Sequence, residues 1–365
     1  MKDNYIISGI QQIGIGVVNF TEAWKYYIDV FNMDIRILED DKVAELMLPY
    51  TGGKPQKRRA AIALNMQGGG GFEIWQYSER KPQPVDFQIQ AGDLGVFVAK
   101  IKSRDVLKSY ENLSKKTNVK LLGEPQNSID GHKTFFLQDP YGNIFQIVHE
   151  KYVYRDEGRL TGGIVGAMIG VTDIDKVMPI YRDILGYDVI VADETGTFDD
   201  LKALPSGAGK FRRRILSHSK PRSGSFSELF GKSYIELVQP LDRTPRRIYE
   251  GRYWGDPGFI QICFDVRNTD ALRKKCEEMG YPFTVDSSKA FKEGESFDMG
   301  EAAGQFAYIE DPDGTLIELV EAHKIPLMKK LNLYLNLHKR NPYKSLPKWM
   351  LGMLRFMRVS QDSLM

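Results

Sequence analysis

Apolar and polar residues alternate in short runs along the chain, and the order of these runs repeats. The run QIGIGV at residues 12–17 matches GAMIGV at residues 166–171, an offset of 154 positions. At the same offset, YIDVFNMD at residues 27–34 matches YRDILGYD at residues 181–188. In each pair a strand-like run is followed by a stretch with helical periodicity. The two halves of the chain therefore have the same order of elements, which indicates an internal duplication.

A second repeat lies near the end of each half. The segment FLQDPYGNIFQ at residues 136–146 matches YIEDPDGTLIE at residues 308–318. Asp-Pro-x-Gly between two apolar runs predicts a tight hairpin, because proline fixes φ and glycine accepts a left-handed conformation. The chain thus divides into four modules, each predicted to form a strand, a helix and two or three further strands. The modules are A (residues 7–77), B (93–150), C (163–240) and D (258–322).

The segment between modules B and C is polar and ends in glycine, as is typical of a linker. We therefore predict an N-terminal domain over residues 1–150, a C-terminal domain over 151–323 and a separate tail over 324–365. The tail has nine Lys or Arg, one Asp and no Glu. A basic amphipathic tail can lie on an anionic membrane surface. The alternative, which we favour, is that it packs over the body of the protein or on a partner in a homodimer.

Composition narrows the class of protein. Lys and Arg number 50 against 48 Asp and Glu, giving a net charge of +2, so the chain has no overall field for nucleic acid. It has no run of 18 apolar residues, which predicts no ordinary membrane-spanning helix. The two cysteines are too few for a disulfide framework. We expect a cytoplasmic protein acting on a small molecule.

Two carboxylates lie in the middle of apolar strands in the C-terminal half. They are Glu236 in IELV and Glu318 in LIELV. Burial of a carboxylate is costly unless it is paired, protonated or bound to a metal. If both faced one cavity they would repel each other, and a divalent cation between them would remove that repulsion. Gln261 occupies the corresponding position on a first strand of the same half.

The matching positions of the N-terminal half hold Gln12, Glu73, Val96 and Gln146. One carboxylate with two amides is a weaker set, because each amide is a neutral and poor donor. We therefore predict that the N-terminal domain is degenerate and that the C-terminal domain carries the metal site.

The four modules, two of them closing with Asp-Pro-x-Gly-x-x-x-Glu/Gln, resemble the vicinal oxygen chelate superfamily. That group includes glyoxalase I, bleomycin-resistance proteins and extradiol dioxygenases. The resemblance covers residues 7–322 and implies an α+β fold of two tandem glyoxalase-like domains, each an open eight-stranded barrel of two βαβββ modules. It does not choose the reaction, since this fold carries several unrelated chemistries.

For the site, the resemblance implies a divalent cation (Mn, Zn, Ni, Co or Fe) held by Glu236, Gln261 and Glu318. The implied reaction is an isomerase-, epimerase- or lyase-type proton transfer through a metal-bound enediolate, on a substrate with adjacent oxygens. Glu236 or Glu318 would act as general base. Tyr308, on the strand before Glu318, would hydrogen-bond the substrate or return the proton.

Two alternatives remain open. An extradiol-type dioxygenase would need atypical ligands, because the positions of its two histidines hold Gly166 and Gln261. A metal-free binding or resistance protein would need no cation. Arginine clusters at residues 212–214 and 243–247 flank the last strand of module C and could hold an anionic substrate group, although solvated loop charges are commoner.

Overall fold

The computed structural model describes residues 4–290, 297–298, 303–328 and 333–364. All four predicted modules are present. The strands are β1 (Ile6–Gly16), β2 (Ile35–Ala44), β3 (Gln56–Leu64) and β4 (Gly71–Tyr77) in A; β5 (Gly95–Ser103), β6 (Lys120–Asn127), β7 (Lys133–Gln138) and β8 (Ile144–His149) in B; β9 (Thr161–Gly170), β10 (Val189–Gly196), β11 (Phe211–Ser217) and β12 (Tyr234–Pro240) in C; β13 (Gly258–Arg267), β14 (Val285–Asp286), β15 (Phe297–Asp298), β16 (Ala303–Glu310) and β17 (Leu316–Met328) in D, with β18 (Leu333–Asn336) in the tail. The helices are α1 (Phe20–Phe31), α2 (Val106–Ser114), α3 (Ile174–Pro179), α4 (Ser227–Phe230), α5 (Thr269–Glu278) and α6 (Lys348–Gly352).

The strands form two curled half-barrel sheets, which confirms the predicted α+β fold class. Each sheet, however, joins modules from different halves of the chain. The A/D sheet has the order β14-β16-β17-β13-β1-β4-β3-β2, with β15 and β18 at its side, and the B/C sheet has the order β10-β11-β12-β9-β5-β8-β7-β6. The expectation that each half builds its own barrel is therefore wrong. The first strands decide the pairing: β1 lies antiparallel to β13, and β5 lies antiparallel to β9.

The two long connections, residues 78–94 and 241–257, bind each other reciprocally. Arg80 of the first connection donates to both carboxylate oxygens of Asp256, at 2.5 and 3.1 Å. Arg243 of the second donates to Asp93 at 2.7 Å. Both aspartates are buried, so these ion pairs are shielded from solvent. The reciprocal pairs hold the two halves together at the points where the chain crosses between sheets.

The main apolar core lies on the faces of the two sheets that carry the helices. Helix α1 is buried on most of its circumference, and its Tyr27 hydroxyl donates at 2.8 Å to Asp139 in the hairpin of module B. Tyr181 donates at 2.9 Å to Asp311 in the equivalent hairpin of module D. In both hairpins the aspartate also accepts backbone N–H groups, as the Asp-Pro-x-Gly motif predicts. The tyrosine–aspartate hydrogen bond is thus repeated in both halves of the chain, as an internal duplication predicts.

The tail extends β17, adds β18 and then crosses the body of the protein. Leu337, Leu346 and Leu351 are buried in a cluster with Ile35 and Phe230. The tail therefore packs against the body, as the favoured interpretation predicts, although the structure does not test a homodimer. Among the described residues no helix is long and apolar enough to cross a membrane.

Candidate metal site

Four polar side chains project from neighbouring strands on one face of the A/D sheet. They are Gln12 on β1, Glu73 on β4, Gln261 on β13 and Glu318 on β17. The next residue along each strand is buried in the core; it is an isoleucine after Gln12, Glu73 and Gln261 and Leu319 after Glu318. Strand alternation therefore directs the four polar side chains to the opposite face. Two of the donors come from each half of the chain.

The register of the strands brings the donors together around Gly14. Gly14 lies opposite both Glu73 and Gln261 in the ladders of β1 with β4 and β13. A Cβ at Gly14 would lie 2.7 Å from the amide carbon of Gln261. A larger residue here would push the Gln261 amide away, so glycine is needed for the four side chains to converge.

Hydrogen bonds connect the two carboxylates through amides. The Gln261 Nε2 atom donates to Glu73 Oε2 at 2.8 Å and to Glu318 Oε2 at 3.3 Å. Gln12 Nε2 donates to Glu73 Oε2 at 3.4 Å. Among the described residues neither carboxylate forms an ion pair, and the charge of Arg58 offsets only part of the effect of burial on Glu73.

This crowding changes the acidity of both carboxyl groups. Burial, together with the charge of Glu318, raises the pKa of Glu73 to about 8. Burial also raises the pKa of Glu318, although interactions with Cys263, Tyr308 and the amides oppose the rise. A proton therefore remains on the pair near neutral pH, unless a cation replaces it.

The amides show which oxygens are available to a cation. The indole N–H of Trp254 donates at 2.9 Å to Gln261 Oε1, which turns the Gln261 NH₂ group toward the carboxylates. Gln12 Oε1 is buried and has no hydrogen-bond partner among the described residues. The donor set of two carboxylates and a free amide oxygen, all oxygen ligands, fits a divalent metal ion. Gln261 would join this set only if its amide turned over and left Trp254.

Aromatic side chains surround the four donors. Trp75 and Trp254 meet edge to face with ring centroids 4.7 Å apart, and Tyr308 lies 6.2 Å from Trp254. Tyr308 pairs with Glu318 across β16 and β17, which places it beside that carboxylate. Burial and the Glu318 charge keep the pKa of Tyr308 well above 10, so its hydroxyl stays protonated. These rings exclude water and lower the local dielectric around the carboxylates.

Glu236 does not belong to this group. It lies on β12 in the B/C sheet, whereas Gln261 and Glu318 lie in the A/D sheet. Lys100 donates to Glu236 Oε2 at 2.7 Å, and Arg213 donates to Glu236 Oε1 at 2.8 Å. The prediction that Glu236, Gln261 and Glu318 share one site is therefore wrong, because each sheet combines one module from each half of the chain.

The B/C sheet neutralises its carboxylate with its own cations. Arg213 also forms two bonds with Asp200, at 2.7 and 2.8 Å, and Lys100 also donates to Gln146. Burial alone would raise the pKa of Glu236, but Arg213 and Lys100 outweigh burial and lower it. The Lys100 ammonium lies where a metal would need to approach this carboxylate. Glu236 is thus satisfied without a metal or a general-base role.

The arginine cluster at residues 212–214 does not hold a substrate group in this structure. Arg213 is buried with Glu236 and Asp200, and Arg212 and Arg214 both pair with Asp175 and Asp193. Arg243, in the second cluster, pairs with Asp93. These guanidinium groups stabilise the protein's own carboxylates.

A further group with metal-ligand chemistry lies at the far end of β17. Ligand atoms of Glu321, His323 and His338 lie within 4.8 Å of one another. Glu321 already accepts from the backbone N–H and hydroxyl of Thr269 at 2.8 and 2.7 Å, and Arg267 lies 3.2 Å from its other oxygen. Because Arg267 supplies positive charge where a cation would bind, this cluster is a weaker metal candidate than the A/D site.

Comparison with known proteins agrees with this architecture. Residues 9–147 and residues 167–298 each match a family model described as the Glyoxalase/Bleomycin resistance protein/Dioxygenase superfamily. The chain belongs to this superfamily. Comparison with curated proteins found no match to this chain.

Solved structures of other proteins share this fold over most of the length of the chain. Glyoxalase I from Zea mays is 16% identical, with a TM-score of 0.51 and coverage of 87% of this chain and 92% of that chain. A putative dioxygenase from Bacillus subtilis is 16% identical, with a TM-score of 0.53 and coverage of 87% and 86%. At these identities the likeness establishes the fold alone. It confirms the tandem form that the four modules predicted.

Strand alternation in the sequence predicts the positions of all four donors but not which of them meet. The sequence places Gln12 and Glu73 in the domain predicted to be degenerate, whereas the structure brings them together with Gln261 and Glu318. One signal in the chain favoured the exchange: the connections at 78–94 and 241–257 are longer than the connection at 150–160. A long connection allows the chain to cross between sheets, while a short one keeps consecutive modules in one sheet.

Proposed function

We propose that this protein is a divalent-metal-dependent enzyme that transfers a proton on a small molecule bearing two adjacent oxygens. The observation that carries the proposal is the A/D cluster. There Glu73 and Glu318 face one buried space, and the amide of Gln261 donates to both. An uncompensated carboxylate pair costs stability, so a site that keeps one is better explained by function than by folding.

Glu73, Glu318 and the unpartnered Gln12 Oε1 would hold the cation. Gln261 would either turn its oxygen inward as a fourth ligand or continue to donate to the two carboxylates. A divalent cation bound there would polarise the two substrate oxygens and stabilise the negative charge that develops when the neighbouring carbon loses its proton.

The protein's own residues supply the proton transfer. A carboxylate of the pair accepts the proton from carbon as general base, for which one of its two oxygens must be free of the cation. We assign this role to Glu318, because it lies beside Tyr308. The protonated Tyr308 hydroxyl donates a hydrogen bond to a substrate oxygen. Trp75 and Trp254 exclude water from the reacting carbon.

The site is tested by metal content. Wild-type protein and the variants Glu73→Gln, Glu318→Gln and Glu236→Gln are stripped with a chelator and then loaded separately with Mn, Zn, Ni, Co and Fe(II). We expect about one metal per chain in the wild type and in Glu236→Gln, and at least about tenfold weaker binding in the other two. Gln146→Ala, also in the B/C sheet, is a second control, and circular dichroism checks the folding of every variant.

Two results would contradict the proposal. If the wild type stays empty with all five metals, the metal-dependent enzyme is refuted and a metal-free binding protein becomes the better hypothesis. If Glu236→Gln loses metal while Glu73→Gln keeps it, the A/D assignment is wrong.

The reaction class is tested separately. Metal-loaded protein is incubated with an α-hydroxyketone such as hydroxyacetone in D₂O, and NMR follows deuterium entry at the hydroxymethyl carbon. We expect exchange that Glu318→Gln abolishes. Oxygen uptake with catechol under Fe(II) would instead indicate the dioxygenase alternative, which the all-oxygen donor set disfavours.

A further inference from the structure

A cavity lies on the B/C sheet and is lined by Lys100, the partner of Glu236. Its volume is about 440 Å³, within the range of small-molecule sites. Lys100, Tyr234, Val148 and Ile215 are among the residues that line it. The B/C sheet therefore has a ligand-sized space beside a carboxylate that is already paired with cations.

Lysines give this cavity a positive entrance. Lys133, Lys151 and Lys232 line it and are exposed. Within the part of the chain that the structure describes, none of the three forms an ion pair or a side-chain hydrogen bond. Lys232 contacts the ring of Tyr234, with its ammonium 5.1 Å from the ring centroid. Three ammonium groups around one opening attract an anion.

The acidic residues of the cavity do not neutralise these lysines. Glu150 accepts from the Tyr234 hydroxyl at 3.2 Å and from the Tyr152 backbone N–H at 3.0 Å. Asp130 lies 3.4 Å from the imidazole of His132. At the floor, the ammonium of Lys100 is matched by Glu236. With Lys100 matched by Glu236, three lysines face the two carboxylates of Glu150 and Asp130, so the lining keeps an excess of positive charge that an anion can neutralise.

Two histidines line the cavity. The imidazoles of His132 and His149 lie parallel, at an interplanar angle of 15° with centroids 5.8 Å apart, and both line the cavity. Both rings carry hydrogen-bonding nitrogens and a planar surface for an organic group. The cavity thus combines cationic and planar contacts.

We propose that the B/C cavity binds a small organic anion carrying a carboxylate or phosphate group, held by Lys133, Lys151 and Lys232. This second site is independent of the metal proposed at the A/D site, because the residues of the two sites lie on different sheets. The two anion classes share the oxyanion that the ammonium groups recognise.

The test is isothermal titration of the metal-stripped full-length chain with succinate and, separately, with inorganic phosphate. Ionic strength is held constant with chloride. We expect saturable binding of at least one probe at one site per chain. The double variant Lys133→Ala/Lys232→Ala should weaken it about tenfold. The control Lys81→Ala/Lys344→Ala removes the same charge from exposed lysines outside the cavity and should change affinity less than twofold.

Each outcome decides the proposal. Binding of succinate alone or phosphate alone supports it and selects the anion class. Absence of saturable binding by both probes overturns it, as does equal weakening in the two double variants. Glu73→Gln separates the two sites: binding that it abolishes belongs to the A/D site and refutes the B/C assignment, whereas metal uptake can fail without affecting this titration.

Discussion

Replacing Glu73 by glutamine should make the metal-free protein more stable at pH 8 while weakening its binding of metal. Burial and Glu318 raise the pKa of Glu73 from 4.5 to about 8 in the folded protein. The folded chain therefore keeps a proton that the unfolded chain has released. This stabilising contribution is fully present below about pH 4.5 and is lost as the pH rises through about 8.

The size of the effect follows from the same pKa. A rise from 4.5 to about 8 corresponds to roughly 5 kcal/mol of unfolding free energy. Because Glu73 is only partly buried, we expect about 2 kcal/mol. The neutral amide avoids this loss, so the unfolding free energy of Glu73→Gln minus that of the wild type should grow by that amount between pH 5 and pH 8.

The assay is urea unfolding of both proteins, stripped of metal, at several pH values. The difference between them is needed because burial also raises the pKa values of Asp139, Asp265 and Asp311 to about 6, 7 and 6. Those groups are present in both proteins and cancel. A difference that stays constant from pH 5 to pH 8, or a variant less stable than the wild type at pH 8, would refute the reasoning. Glu236→Gln is the matched control and should destabilise the protein, because Lys100 and Arg213 would lose a charged partner.

Three further predictions concern the contacts that hold the sheets. Lys100→Met should lower the unfolding free energy at pH 7 by roughly 3 kcal/mol, because it leaves Glu236 buried with one cation fewer; a loss below 1 kcal/mol in urea unfolding would contradict the buried ion pair. Arg80→Met should cost a similar ~3 kcal/mol by leaving Asp256 buried without its bidentate partner, and an unchanged melting temperature would argue against it. The fragment 1–150 should not fold alone but should gain native circular dichroism when mixed with 151–365, whereas an independently cooperative fragment would show that the exchange of modules is not required.

Local features were predictable from the sequence, whereas the pairing of modules was not. Asp139 and Asp311 mark their hairpins through short-range hydrogen bonds that the motif itself contains. The strand positions of Gln261 and Glu318 followed from alternation. Which first strands meet was not encoded locally, because β1 and β9 have similar apolar patterns and offer similar backbone edges to a partner.

Because the pairing of modules could not be predicted, the chemical roles of the buried glutamates could not be predicted either. Glu236 and Glu318 look alike in sequence, each within an apolar strand. Their environments differ because Lys100 and Arg213 reach the first carboxylate from other strands, while Glu73 reaches the second. Such long-range neighbours decide whether a buried glutamate is a satisfied ion-pair partner or a candidate ligand.

The exchange of modules between the halves has a consequence for how the two sheets respond to substitution. Two identical two-module chains that built such sheets together would present the same residues on both sheets, and every substitution would appear twice. In this chain, modules A and D supply one sheet and modules B and C supply the other. A substitution at Lys100 therefore alters the cavity of the B/C sheet and leaves Glu73 and Glu318 of the A/D sheet intact. Each sheet can thus gain or lose charged side chains independently of the other.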